Sequence, residues 1–120
     1  MKTLIQNGTV VTSQKTMDAD ILVEDGKIAA IGTNLSAEGC ERFDASGCLL
    51  FPGFIDAHTH LDMDNGYTVT ADDFYSGTRA AVSGGTTTIL DFATQDKGKT
   101  LSDALKCWHS KADGKCSCDY

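Results

Sequence analysis

This 120-residue sequence lacks the features of several common protein classes. No apolar run approaches the roughly 18 residues that cross a membrane, and the opening M-K-T-L-I-Q-N-G-T-V has no apolar core of signal-peptide length. We therefore expect a cytoplasmic protein with no membrane partner. Positive charge is also scarce, because 10 Lys and Arg face 17 Asp and Glu. The net charge of −7 argues against binding to nucleic acid or to anionic lipid.

Motifs for phosphate binding and for structural zinc are missing as well. The glycine pair at 84–85 stands without G-x-G-x-x-G or G-K-[ST], so the sequence predicts no nucleotide site. The five cysteines are an odd number without a secretory signal, and we expect reduced thiols. The C-x₂₋₄-C spacing of a structural zinc site is absent from the cluster Cys107, His109, Cys116 and Cys118. We expect His109 to lie beside the apolar stripe of a helix, as a residue at the boundary of that stripe and not as a metal ligand.

The first 50 residues predict a small β domain. Two strand-like pieces, T-L-I-Q-N-G-T-V-V-T and D-I-L-V-E-D-G-K-I-A-A-I-G, contain Asn7-Gly8 and Asp25-Gly26. Both dipeptides favour positive φ and close tight hairpins. We interpret residues 2–48 as antiparallel strands that end in a polar segment near 36–46.

From residue 51 to residue 120 the pattern alternates between strand and helix. L-L-F-P-G-F-I-D-A-H predicts a strand that is apolar on both faces, as in a parallel sheet covered by helices. The capping box T-A-D-D, beginning at Thr70, predicts a helix from Ala71 that ends at the glycine pair. T-T-T-I-L-D-F predicts a second strand, and T-L-S-D at Thr100 starts a second helix that Gly114 ends. C-S-C-D-Y is a candidate start of a third strand.

This order predicts an α/β fold, namely the start of a TIM barrel preceded by part of a small β domain. A closed eight-unit barrel takes about 250 residues. Residues 51–120 hold about two units, so we expect the barrel to be incomplete in this chain.

The stretch F-P-G-F-I-D-A-H-T-H suggests a metal site at the end of a strand. Successive side chains of a strand point to opposite faces, so His58 and His60 share one face and can converge on one ion. Catalytic groups of barrel enzymes lie at this end of the strands. The alternative is a polar strand end that faces solvent. Asp56 and Asp91, at the ends of the two strands, could orient a histidine or could cap the loops that follow.

The longer pattern resembles a known family. F-P-G-F-I-D-A-H-T-H-L-D-M, followed by D-D-F-Y-S-G-T-R-A-A-V-S-G-G-T-T-T-I-L-D-F, is similar to the amidohydrolase superfamily and to its dihydropyrimidinase and hydantoinase branch. The opening L-I-Q-N-G-T-V-V and A-D-I-L-V-E-D-G-K-I-A-A-I-G resemble the small β-sandwich that flanks the barrel in this family. The resemblance covers essentially the whole chain.

The resemblance implies a metal-dependent hydrolase of cyclic amides such as dihydropyrimidines or hydantoins, which it opens to N-carbamoyl amino acids in pyrimidine catabolism and related reactions. By resemblance, His58 and His60 bind the more buried of two divalent ions, usually Zn²⁺. The other ligands are a carboxylated lysine, two histidines and an aspartate that handles the proton, all expected beyond Tyr120. The metals activate a water and polarise the ring carbonyl. Such enzymes are commonly tetramers, so we expect a homo-oligomer.

Two ligands do not complete a catalytic zinc site, which typically has three protein ligands. We therefore expect the 120-residue chain, as an N-terminal portion, to be inactive alone. In the loop after L-D-M the sequence departs from the Pro-Phe that hydantoinases tend to carry. Met63 and Asn65 are candidates for lining the substrate, with ordinary exposed loop residues as the alternative.

Three alternatives remain at this point. A different amidohydrolase, of the dihydroorotase or allantoinase type, would share the H-x-H element. Collapsin-response mediator proteins share the fold and act in binding and assembly without the metal site. A truncated relic would expose a barrel edge whose unpaired backbone groups invite aggregation. The H-T-H pair favours the hydrolase.

Overall fold

The computed structural model describes all 120 residues, which form two compact units, Met1–Pro52 and Gly53–Tyr120. The first unit contains only strands, and the second alternates strands with helices. The chain as a whole is therefore mixed α/β, as the sequence predicts. Neither helix is long and apolar enough to cross a membrane.

The first unit is a five-stranded sheet. Its strands are β1 (Lys2–Val11), β2 (Thr16–Glu24), β3 (Lys27–Gly32), β4 (Glu41–Asp44) and β5 (Leu49–Leu50). The order is β3-β2-β1-β4, with β5 also paired to β1. The β1–β2 and β2–β3 pairs are antiparallel, whereas β4 and β5 run parallel to β1. The prediction of antiparallel strands over residues 2–48 is therefore wrong for β4, which lies inside the segment predicted to be polar.

The two predicted hairpin turns have different outcomes. Asp25 and Gly26, with φ of 48° and 76°, close the β2–β3 hairpin, which confirms that prediction. Asn7, with φ of 64°, lies instead at a register shift within β1, so that prediction is wrong. The buried carboxylate of Asp20 accepts a hydrogen bond from the Asn7 amide at 3.0 Å. Positive φ at Asn7 therefore produces a bulge, held by a tertiary contact that the dipeptide cannot reveal.

The second unit begins with a β-α-β element. It consists of β6 (Phe54–Thr59), α1 (Phe74–Ser83), β7 (Thr86–Asp91) and α2 (Leu101–Ala112), and β6 pairs in parallel with β7. The single predicted strand L-L-F-P-G-F-I-D-A-H is wrong in extent, because β5 and β6 are separate strands of different units. Pro52, which has no N–H for a strand ladder, lies between them. Gly53 is required at the start of β6, since a Cβ there would lie 2.0 Å from Thr87 Oγ1.

The helix boundaries agree with the sequence at α2 and differ at α1. Helix α2 begins after Thr100, whose hydroxyl accepts from the Asp103 amide in a capping box, as predicted. Helix α1 begins at Phe74, three residues later than predicted, because Asp73 is the N-cap and pairs with Ser76. The hydroxyl of Thr70, the predicted cap, accepts a hydrogen bond from the Met63 amide instead.

The core of the second unit lies between its two helices and β7. Phe74, Ile89 and Ala112 are buried, and Leu61 and Trp108 pack against them. Asp119, within the segment C-S-C-D-Y, forms an isolated parallel bridge with Thr88 of β7, at the place predicted for a third strand. Because β6 and β7 run parallel, their carboxyl ends lie at the same edge of the sheet.

Replacing Thr100 with alanine tests the cap of α2. We expect Thr100→Ala to lower the free energy of unfolding by about 1 kcal/mol, because the Asp103 amide loses the side-chain oxygen that accepts its hydrogen bond. Urea unfolding followed by the fluorescence of Trp108, the single tryptophan, measures this change. Ser102→Ala, an exposed serine in the same turn, is the matched control, with a change below about 0.5 kcal/mol. Equal effects of the two substitutions would contradict the capping role.

Candidate metal centre

His58 and His60 lie on one face at the carboxyl end of β6. Their Nε2 atoms are 3.1 Å apart, and the ring centroids are 5.0 Å apart at an angle of 65°. Both side chains are exposed, so solvent or another ligand can reach the nitrogens. The alternation of a strand thus brings the two imidazoles together, as the H-T-H spacing predicts.

The spacing of the two nitrogens suits two ligands of one cation. Zinc lies about 2.0–2.1 Å from a histidine nitrogen, so two nitrogens on one ion are roughly 3 to 3.4 Å apart. The 3.1 Å separation falls in this range. A histidine–histidine hydrogen bond has a similar length, and it would require a proton on one of the two nitrogens. The residues therefore fit two positions of a metal site.

The rest of a metal site is not supplied by this chain. No group of three or more His, Cys, Asp or Glu side chains is arranged to hold an ion. Two imidazoles leave at least one protein ligand of a catalytic zinc unaccounted for. Within these 120 residues the pair is thus an incomplete centre.

Asp56 and Asp91 contact the backbone around the two histidines and not the imidazoles. The Asp56 carboxylate accepts from the His58 amide at 3.2 Å. The Asp91 carboxylate accepts from the Leu61 amide at 2.8 Å and from the Thr59 hydroxyl at 2.9 Å. Each aspartate therefore holds the backbone of the segment that carries the pair, and the orientation of a histidine by either one stays a prediction.

Phe92 is a neighbour of the pair that the sequence did not single out. Its ring centroid lies 4.5 Å from that of His58 and 5.4 Å from that of His60. The ring limits the rotation of both imidazoles on one side. The signal available in the sequence is its place directly after β7, where a parallel neighbour of β6 ends at the same edge.

Met63 and Asn65 belong to a tight loop. The Met63 amide donates to the Thr70 hydroxyl at 2.9 Å, and the Met63 carbonyl accepts from the Thr70 amide at 3.0 Å. The Asn65 side-chain oxygen accepts from the amides of Tyr67 and Thr68, both at 3.0 Å. The asparagine thus builds the turn with one end of its amide, and contact of either residue with a substrate stays a prediction.

The other histidine and the nearby cysteines form no metal site. His109 lies 3.2 Å from Asp113, whose carboxylate also accepts from the Tyr120 hydroxyl. That hydrogen bond raises the pKa of Tyr120 to about 12. Burial raises the pKa of the Cys116 and Cys118 thiols, which disfavours the thiolate that a metal requires. These contacts agree with the boundary role expected of His109.

Comparison with known proteins places the pair in a family context. The pattern of the amidohydrolase family matches residues 49–111, which include both histidines. The chain is 58% identical over 120 residues to the D-hydantoinase of Geobacillus stearothermophilus, covering 100% of this chain and 26% of the relative. It is 43% identical to the dihydropyrimidinase of Rattus norvegicus, covering 98% of this chain and 24% of the relative.

Solved structures of hydantoinases and dihydropyrimidinases share the fold of this chain. The chain superposes on the dihydropyrimidinase from Brevibacillus agri with a TM-score of 0.97 and 52% identity. The match covers 100% of this chain and 26% of that structure. The chain therefore spans about a quarter of the length of the relatives that it matches.

Proposed function

This chain belongs to the amidohydrolase family, and from that premise we propose that it is the N-terminal portion of a metal-dependent cyclic amide hydrolase. The proposed substrates are dihydropyrimidines or hydantoins, which open to N-carbamoyl amino acids. The relatives named D-hydantoinase and dihydropyrimidinase support this substrate class. Such a hydrolase acts on a small molecule.

One observation carries the proposal. The Nε2 atoms of His58 and His60 converge to 3.1 Å at the carboxyl end of a parallel strand. Active sites of parallel α/β proteins lie at this end of their strands. Two exposed imidazoles that converge to this distance offer two nitrogen ligands to one divalent ion.

The residues of this chain hold and orient the metal end of the site. His58 and His60 would together bind one divalent ion through their Nε2 atoms, which requires both nitrogens to be unprotonated. When bound, a divalent ion supplies an activated water nucleophile and polarises the carbonyl of the amide. Phe92 flanks both rings, while Asp56 and Asp91 hold the backbone that carries the rings.

We further propose that the complete site uses two ions, most simply Zn²⁺. Its other ligands, a lysine, two histidines and an aspartate, would come from the part of the enzyme that this chain does not contain. Residues 51–120 would be the first two units of a TIM barrel, and residues 1–50 part of a β-sandwich. A homotetramer in the cytoplasm, predicted from the sequence, stays a prediction. Met63 and Asn65 remain proposed contacts of the substrate.

A chimeric enzyme tests the proposal. This chimera is the Geobacillus stearothermophilus D-hydantoinase with the matching quarter of its chain replaced by these 120 residues. We expect the zinc-loaded chimera to hydrolyse hydantoin or dihydrouracil, with N-carbamoyl product measured by chromatography. Dihydroorotate and allantoin are parallel substrates.

The substrate profile separates the alternatives. Preference for dihydroorotate or allantoin would favour the other amidohydrolases. A folded tetrameric chimera that binds no zinc would favour a non-catalytic binding protein and would contradict the hydrolase.

A further inference from the structure

Three hydrogen-bond donors converge on the half-buried carboxylate of Asp91. Trp108 Nε1 donates to Oδ1 at 2.7 Å, and Oδ2 accepts from the Thr59 hydroxyl at 2.9 Å and the Leu61 amide at 2.8 Å. Thr59 and Leu61 are the residues immediately before and after His60. One carboxylate thus connects helix α2 to both sides of a proposed metal ligand.

The carboxylate reaches this segment from the face opposite to the imidazoles. Asp91 is directly opposite Thr59 in the register of β6 and β7. Because successive side chains alternate, Thr59 and Asp91 share the helix-facing side, whereas His58, His60 and Phe92 share the other. Asp91 can therefore restrain the backbone of the pair without occupying a coordination position.

We propose that Asp91 is a positioning residue for the metal pair, and that the indole N–H of Trp108 holds its carboxylate in place. The inference rests on the proposed function, because it assigns this role toward the metal of that site. Neither imidazole has a partner for its Nδ1 atom among these residues, so ring orientation depends on the backbone and on Phe92. Groups that orient metal ligands without touching the metal are an established source of affinity.

The chain offers internal controls for a zinc titration. His58, His60 and His109 are its three histidines, and His109 lies with Asp113 and Tyr120, apart from the pair. NMR of ¹⁵N-labelled histidines during addition of Zn²⁺ follows each ring separately. We expect His58 and His60 to respond together at a lower zinc concentration than His109.

Removing the carboxylate should weaken zinc binding at the pair without removing a ligand. We expect Asp91→Ala to raise the half-saturating zinc concentration at His58 and His60 by about 10- to 100-fold. We expect Trp108→Phe, which keeps an aromatic ring but loses the indole N–H, to have a smaller effect in the same direction. The same substitutions in the chimera should speed the loss of zinc to a chelator.

A second substitution and a control separate positioning from general stability. Asp91→Asn keeps the size of the side chain but has one acceptor oxygen, so at least one of the three donors faces its NH₂ group. If the amide spectrum shows that Asp91→Ala does not fold, the zinc affinity of Asp91→Asn tests the positioning role in its place. Asp103→Ala removes the capping box of the same helix without touching Asp91, and we expect no change in zinc affinity.

The outcomes distinguish the two proposals. Normal zinc affinity at the pair in a folded Asp91→Ala or Asp91→Asn protein would overturn the positioning role and leave the hydrolase intact. An equal loss in Asp103→Ala would overturn it as well, because stability would explain the effect. No zinc response of His58 and His60 in the unsubstituted chain and chimera would overturn both proposals.

Discussion

His58→Ala or His60→Ala in the chimera should lower kcat/KM for hydantoin by more than about 100-fold, beyond the 10- to 100-fold that loss of an orienting group costs. Each substitution removes one of two nitrogens that meet at 3.1 Å. A metal held by fewer ligands is lost more readily and leaves the water nucleophile and the carbonyl without activation. The measurement is initial rates with zinc content determined on the same samples.

His109→Ala is the matched control for this experiment. His109 is an exposed histidine of the same unit, bonded to Asp113 and apart from the pair. We expect its replacement to leave kcat/KM within about threefold, as for most surface substitutions. Activity of His58→Ala and His60→Ala close to that of His109→Ala would contradict a metal role for the pair.

The 120-residue chain alone should show no measurable hydrolysis of hydantoin or dihydrouracil, even in excess zinc. Two imidazoles hold an ion weakly and leave its geometry undefined, because catalytic zinc typically takes three protein ligands and a water. No further group of metal-binding side chains exists in the chain to make up the difference. The assay compares the zinc-loaded chain with the chimera at equal molar concentration.

The zinc-loaded His58→Ala chain is the background for that assay. Turnover by the unsubstituted chain above this background, at a rate comparable with the chimera, would contradict the incomplete centre. It would mean that the pair, with water alone, suffices for the chemistry.

Local signals in the sequence predicted the parts of the site that depend on local geometry. The convergence of His58 and His60 follows from strand alternation alone, and the start of α2 follows from the Thr100 capping box. The β-branched run before Asp91 forms β7, because branched side chains suit the pleated surface of a sheet. The resemblance to amidohydrolases, including hydantoinases and dihydropyrimidinases, is confirmed by the family match and the named relatives.

Features that depend on distant partners could not be predicted in this way. Asn7-Gly8 has the composition of a hairpin turn, yet β1 continues through it because Asp20 holds the bulge from another strand. The parallel pairing of β4 and β5 with β1 carries no local signal. The connection of Asp91 to Trp108 likewise spans 17 residues and exists only once α2 packs on β7.

Anomalous diffraction at the zinc edge from crystals of the chimera tests the central claim most directly. The account predicts a peak about 2.0–2.1 Å from the Nε2 atoms of both His58 and His60. No peak between the two nitrogens, with the imidazoles joined by a hydrogen bond in zinc-loaded crystals, would contradict it.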